Sequence, residues 1–293
     1  MKISAKTVME LRSQTNAGMM DCKKALQKTN GNMEAAIEYL REKGISKAAK
    51  KADRVAAEGL ILAAISNDHK KGALLEFNSE TDFVAKNENF IKFGEKMTEL
   101  VLNNDIADIQ ELLKTEVDGM NVKDALTNMI AKIGENLNLR RFAKIVTDGF
   151  VTSYIHMGGN IGVLVELNGE YNSENEDKAY DVAMHIAAMA PDYLDKSEVP
   201  AEVEEKESEI IRKQLLDQGK PEKIIDKIVM GKMNKFYEEN CLLQQKFVKD
   251  DKISVSQYIA PLIVKSFIRF KIGEGVEKEN TDFASEVAEQ IKG

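Results

Sequence analysis

Tryptophan is absent from this sequence, and in 293 residues proline occurs four times, histidine three times and cysteine twice. So few prolines leave helices free to run, since proline both removes a donor and clashes with the preceding turn. Cys22 and Cys241 lie far apart and in no paired motif. That excludes a disulfide framework and fits a reducing compartment. His69, His156 and His185 are scattered, with no His-Glu-x-x-His arrangement and no cysteine pair beside them, which argues against a zinc site. Gly219-Lys220 and Gly231-Lys232 are followed by Pro221 and Met233 rather than Ser or Thr, so no phosphate-cradling loop is present. A Gly-x-Ser-x-Gly elbow is also missing. No catalytic constellation, metal set or cofactor motif emerges, and the expectation is a protein that is not an enzyme and carries no cofactor.

Long apolar runs are lacking too. Leu60 to Ile65 is far short of the ~20 residues a spanning helix needs. The amino terminus mixes charge and apolar residues within a few positions, unlike a signal peptide. A cytoplasmic protein with no membrane partner is expected. The 49 Asp and Glu outnumber the 41 Lys and Arg, for a net charge of −8. An acidic chain is a poor general ligand for nucleic acid, whose phosphates ask for a basic surface.

What is present is a chain that is 43% hydrophobic and 31% charged, enough for a sizeable core. Three short helices are predicted first: Ala5 to Arg12, Asp21 to Lys28, and a third capped by Asn32, carrying Met33, Ala36, Ile37 and Leu40, and stopping at Gly44. The basic stretch Lys43 to Arg54 reads as a solvated helical linker rather than a nucleic-acid patch, since no aromatics interleave it. Strands follow at Leu60–Ile65 and Gly72–Phe77, joined by a polar loop. Next come a helix with Phe90, Phe93, Met97, Leu100 and Val101 on one face, and helical segments at Ile106–Leu113 and Val122–Leu137.

Then the pattern returns. Gly149, Gly162, Glu166 and Asn168 each stand 90 positions after Gly59, Gly72, Glu76 and Asn78. They belong to a second strand–loop–strand–helix unit at Val151–Ile155, Gly162–Leu167 and Ala179–Ala190. Beyond Pro200, the helix Ala201–Gln218, the stop at Gly219 and the restart at Pro221 describe a two-helix coiled coil. In it, Ile210 and Ile225 are read as part of an internal seam. Leu262–Ile272 reads as a further strand and Thr281–Ile291 as a last amphipathic helix. The fold class expected is α+β. A three-helix unit with its linker occupies 1–54, a first core half 55–143, a second half 144–272 with the hairpin inserted at about 198–235, and a terminal module 273–293.

Three stretches carry a resemblance. The first is Leu11-Arg12-Ser13-Gln14-Thr15-Asn16-Ala17-Gly18-Met19-Met20-Asp21-Cys22-Lys23-Lys24-Ala25-Leu26. The second is Glu76-Phe77-Asn78-Ser79-Glu80-Thr81-Asp82-Phe83-Val84-Ala85, and the third His156-Met157-Gly158-Gly159-Asn160-Ile161-Gly162-Val163-Leu164-Val165. Together with Phe267-Ile268-Arg269-Phe270 and Gly273-Glu274-Gly275 they resemble the translation elongation factor Ts family, departing at Asn16, where the family usually has glycine. The resemblance implies a ubiquitin-associated-like three-helix domain, a duplicated α+β core with small antiparallel sheets, a helical hairpin and a short C-terminal module. It also implies a function: binding the GTPase elongation factor Tu with GDP, expelling GDP and Mg²⁺, and admitting GTP.

On the residues alone, Thr81 or Asp82 caps a turn while Phe83 and Val84 fill the core. The resemblance instead makes Thr81, Asp82, Phe83 and Val84 the segment that dislodges Mg²⁺ from the partner, with Phe83 as a wedge beside the phosphate site. It further implies partner contacts at Met19, Met20 and Lys23, at Ile133-Gly134 and at His156. Taken locally, Met19 and Met20 fill gaps in a helical turn, Ile133-Gly134 is a helix interior and His156 a loop histidine. Association through the core or hairpin, as a homodimer or a 2:2 complex, is a further implication. The competing reading is an interaction scaffold without exchange activity.

Overall fold

The computed structural model describes residues 3–15 and 17–276. The helix expected at Thr281–Ile291, and most of the module expected at 273–293, lie outside the described residues. The class is α+β.

The chain opens with α1 (Ala5–Thr15), α2 (Met19–Lys28) and α3 (Met33–Ala49), which bury Val8, Leu11, Cys22, Ala25, Leu26, Ala36 and Leu40 in a core of their own. Asn32 caps α3 by accepting a hydrogen bond from the Ala35 N–H, as expected. The expected stop at Gly44 is wrong. The helix passes through Gly44 and ends at Ala49 because that face is covered: a Cβ on Gly44 would stand 3.7 Å from Asn128 and 3.9 Å from Ala131 on a later helix. A helix docked there gains packing that outweighs the weak propensity of one glycine. Nor is the basic stretch a free linker. Lys43 and Lys47 bridge to Asp21 at 2.7 and 3.3 Å, and Lys51 donates to the Gly134 carbonyl.

Strands β1 (Glu58–Ile65) and β2 (Lys71–Ser79) form the first hairpin. After them come α4 (Asp82–Ala85), α5 (Glu88–Asn103), α6 (Ile109–Lys114), the small ribbon β3 (Glu116–Val117) and β4 (Met120–Asn121), α7 (Val122–Ile133) and β5 (Leu137–Val146). The helix expected to reach Leu137 stops at Ile133 because Gly134 adopts φ +90°, a left-handed terminator. Leu137 then begins a strand that the sequence reading missed. It pairs with β2, so the first sheet runs β1-β2-β5.

The second half repeats the plan with β6 (Phe150–His156), β7 (Ile161–Leu167) and α8 (Ser173–Met189). A helical hairpin follows, α9 (Ala201–Asp217) and α10 (Glu222–Asn240). Its seam holds Ile211, Leu215, Ile225, Val229 and Met233. Ile210, expected in that seam, is instead exposed, since its neighbour Ile211 takes the inward position. The short β8 (Lys246–Phe247), β9 (Asp250–Ser254) and α11 (Val255–Ile259) lead to β10 (Val264–Lys271), giving a second sheet ordered β10-β7-β6.

The two sheets lie face to face with helices outside. Helix α5 covers β1 and β2, and α8 covers β6 and β7. Between the sheets sit Ile61, Leu74, Ile145, Val151, Leu164 and Phe270. The contact is reciprocal at the 90-residue offset. Gly72 faces Val151, with a Cβ there 2.7 Å from Cγ1, and Leu164 at 3.3 Å. Gly162 faces Ile61, into which a Cβ would collide, and Leu74 at 2.9 Å. Each glycine is the hole for the other half's side chain. No helix among the described residues is long and apolar enough to cross a membrane.

Candidate functional site

Phe83 is the most exposed large hydrophobic residue described, at 80%. It stands on α4, a single turn of four residues between the end of β2 and the start of α5. The core-filling alternative therefore fails for Phe83. Its neighbours divide the work, with Ala85 buried and Val84 packed against the core under the first sheet. Asp82 is exposed beside Phe83 and accepts a hydrogen bond from Lys86 at 2.7 Å, an i,i+4 pair. That hydrogen bond holds the Asp82 carboxyl below the usual carboxylate range. The Lys86 ammonium also lies 5.9 Å from the centroid of the Phe83 ring.

Thr81 occupies the cap position of α4 without capping it, for its side chain makes no hydrogen bond to the helix. The hydroxyl donates instead to Glu135 Oε1 at 2.7 Å, while the Thr81 N–H donates to Glu135 Oε2 at 3.0 Å. Ser79 Oγ donates to the Thr81 carbonyl at 2.9 Å, and the Asn136 N–H donates to Glu80 Oε1 at 2.5 Å. Arg54 bridges to Glu80 at 3.3 Å, and the Asn136 side chain donates to the Arg54 carbonyl at 2.7 Å. Three chain segments that are distant in sequence thus meet beneath Phe83. Glu80, Glu135 and Asn136 were not singled out by the sequence reading, and no local spacing could have found a carboxylate 54 residues from its threonine.

From this knot a groove of about 750 Å³ runs between α5 and α7. Phe83, Val84, Phe93, Met129 and Ile133 line it, with Lys92 and Lys132 among the charged residues at its sides. The structure thus brings Phe83, Val84 and Ile133 together. Gly134 adjoins them as an exposed helix terminator, correcting the helix-interior expectation.

Met19 and Met20 are 43% and 61% exposed at the start of α2, so neither is buried in the three-helix core, and Lys23 is exposed one turn on. Their helix does not line the groove. His156 lies elsewhere again. It closes β6 opposite Ile161 rather than sitting in a loop, because the turn proper begins at Met157, with φ +48°. Its Nδ1 lies 2.9 Å from the Tyr154 hydroxyl. Met157, just beyond it, is 70% exposed.

A family model described as "Elongation factor TS" matches residues 80–274. The chain belongs to the elongation factor Ts family. The match opens at Glu80, the first acidic residue of the knot, and closes at Glu274. Full-length relatives extend the likeness over the three amino-terminal helices. The elongation factor Ts of Halothermothrix orenii is 53% identical over 296 residues, covering 99% of each chain. That of Nitratiruptor sp. is 52% identical over 305 residues and 100% of each, and that of Clostridium perfringens 50% over 297 residues and 98% of each.

Proposed function

We propose that this chain is a guanine-nucleotide exchange factor for elongation factor Tu. Its family membership supports the partner and the activity, and the exposure of Phe83 carries the mechanism. Exchange needs no acid, base or metal in the factor. It needs a surface that binds the nucleotide-free partner more tightly than the nucleotide-bound one. The coupling is mutual, so nucleotide weakens the factor as much as the factor weakens nucleotide. An exposed phenylalanine on a braced turn suits this. Its apolar area stays in water until a partner opens a pocket for it.

In this reading Phe83 enters the partner beside its Mg²⁺ and phosphate site. Val84 and Thr81 anchor the turn, and Asp82, kept ionised by Lys86, sets a negative charge that opposes phosphate there. Ile133 and Gly134 continue the surface along the groove. Met19, Met20 and Lys23 on α2, and His156 on the second hairpin, supply separate contacts. The units proposed for this work are 1–54, 55–143, 144–272 with its hairpin, and 273–293. The site of action is the cytoplasm.

The test is release of a fluorescent GDP analogue from purified elongation factor Tu. Phe83→Ala is expected to slow release at least thirtyfold, the value of a central aromatic anchor worth about 2 kcal/mol. Its unfolding free energy should change by no more than about 0.5 kcal/mol, as for an exposed residue. Full activity in the variant would remove the wedge and favour a scaffold that binds without exchanging.

A further inference from the structure

A four-residue helix is too short to hold itself, since a single turn fixes several torsions for one hydrogen bond. Helix α4 also lacks the side-chain cap that its own Thr81 could have provided. Something outside the turn must therefore fix Phe83. The geometry points to Glu135 as the residue that positions Phe83 for exchange, a role that rests on the Phe83 reading above.

Both Glu135 carboxylate oxygens are committed to Thr81, one to the N–H at 3.0 Å and the other to the hydroxyl at 2.7 Å. Two charge-assisted hydrogen bonds from one carboxylate set an orientation as well as a distance. Glu135 is itself fixed, because it follows the left-handed Gly134 that ends α7, and the next residue, Asn136, ties back to Glu80. The clasp joins the turn that bears Phe83 to the end of the helix that bears Ile133. It thus sets the geometry between two elements of the same groove.

Glu135 acts through Thr81 and needs no contact with the partner. Without it, the Phe83 turn spreads over more conformations. Docking through the separate contacts proceeds either way, and release from the docked complex falls with the fraction of turns in the competent conformation.

The experiment measures GDP-analogue release from elongation factor Tu with the full chain, across a range of protein concentration, alongside thermal melts. Losing two such hydrogen bonds in Glu135→Ala should lower the maximal release rate about tenfold, with little change in the concentration giving half the maximum. Glu135→Gln can still accept from the hydroxyl but not simultaneously, in the same way, from the N–H. It should recover part of the rate. Thr81→Val removes only the hydroxyl bond, and should slow release by about threefold.

The decisive arm is Glu135→Ala combined with Phe83→Ala. If Glu135 acts through Phe83, the double variant is no slower than Phe83→Ala alone. Multiplying effects would overturn the proposal, as would normal release by Glu135→Ala when Phe83→Ala is slow. Normal release by Phe83→Ala would dispose of the wedge itself, whatever Glu135 does. Should Glu135→Ala fail to fold, Thr81→Val in the same two backgrounds decides, with the same non-additivity expected and the same additivity fatal.

Discussion

The chain leaving the second strand of each hairpin does opposite things in the two halves. After β2 it makes α4 and lifts Phe83 into solvent. After β7 it lays an aromatic against the first half: Tyr171, still 41% exposed, stacks on His69, with centroids 3.6 Å apart and an interplanar angle of 16°, and meets the edge of Phe150. Its hydroxyl donates to Glu176 at 2.6 Å. His69 comes from the turn of the first hairpin, so the second half spends its aromatic on holding the halves together. The two sheets share a plan, and the difference lies in whether the aromatic packs on the other half or stands free in solvent.

The same asymmetry appears at the equivalent carboxylates, and there it is open to the largest perturbation. Glu76 is fully buried and receives Arg140 at 2.8 Å, Arg141 at 2.6 Å and the Gly273 N–H at 2.9 Å. Glu166 is only half-buried and accepts from Ser266 at 2.7 Å. Glu76→Ala should cost about 3 kcal/mol, because it removes the buried carboxylate that two guanidinium groups and a backbone donor share, although both arginines keep bonds to Glu274. Glu166→Ala should cost about 1 kcal/mol, one hydrogen bond. Chemical denaturation of the two variants checks this, and equal losses would break the distinction.

The aromatics themselves come next. Tyr171→Ala should destabilise the fold by about 1–2 kcal/mol, through the lost stack and hydrogen bond, and leave maximal GDP release unchanged. Phe83→Ala should do the reverse. A melt and a release curve on each variant form a two-by-two test, and Tyr171→Ala slowing release without loss of stability would contradict the division.

A third contrast uses the reciprocal glycines. Gly72→Val and Gly162→Val should each destabilise by about 1–3 kcal/mol through overpacking, by similar amounts if the contact is as symmetric as its geometry. A marked difference in melting temperature would show one half yielding to the other.

The smallest effect is in acid. His185, fully buried in the second half, lies 2.8 Å from Gln245 Oε1 through Nε2, and its Nδ1 accepts the Val248 N–H at 3.1 Å. Burial, only partly countered by the Gln245 hydrogen bond, holds its pKa below the ordinary 6.5. The unfolded chain therefore takes up this proton first as pH falls. Stability contributed by neutral His185 is complete above pH 6.5 and declines below it, down through the lowered folded value. Stability measured from pH 7.5 to 5.5 should show this slope, and His185→Gln should flatten it.

Much of this was legible in the sequence, for identifiable reasons. The 90-residue offset showed because the glycines and carboxylates it relates sit where backbones or partners crowd, and such positions tolerate few residue types. Phe83 was harder. Its local pattern fits a core residue as well as an exposed one, and only the resemblance favoured exposure. Strand β5 escaped because Arg140, Arg141 and Lys144 interrupt its alternation. Two of those charges answer the buried Glu76, a reason invisible until β2 and β5 are paired. The run of α3 past Gly44 and the Glu135–Thr81 clasp were hidden alike, since both depend on contacts between distant segments.

The reciprocal holes at Gly72 and Gly162 also bear on how such a chain can drift. A side chain cannot grow at Gly72 unless Val151 shrinks, nor at Gly162 unless Ile61 does, so acceptable changes must arrive in couples that straddle the repeat. Copies of a repeat ordinarily diverge by wandering separately. Here each half serves as the mould of the other, and the stretch around these glycines should keep its correspondence long after the outward-facing turns have lost theirs.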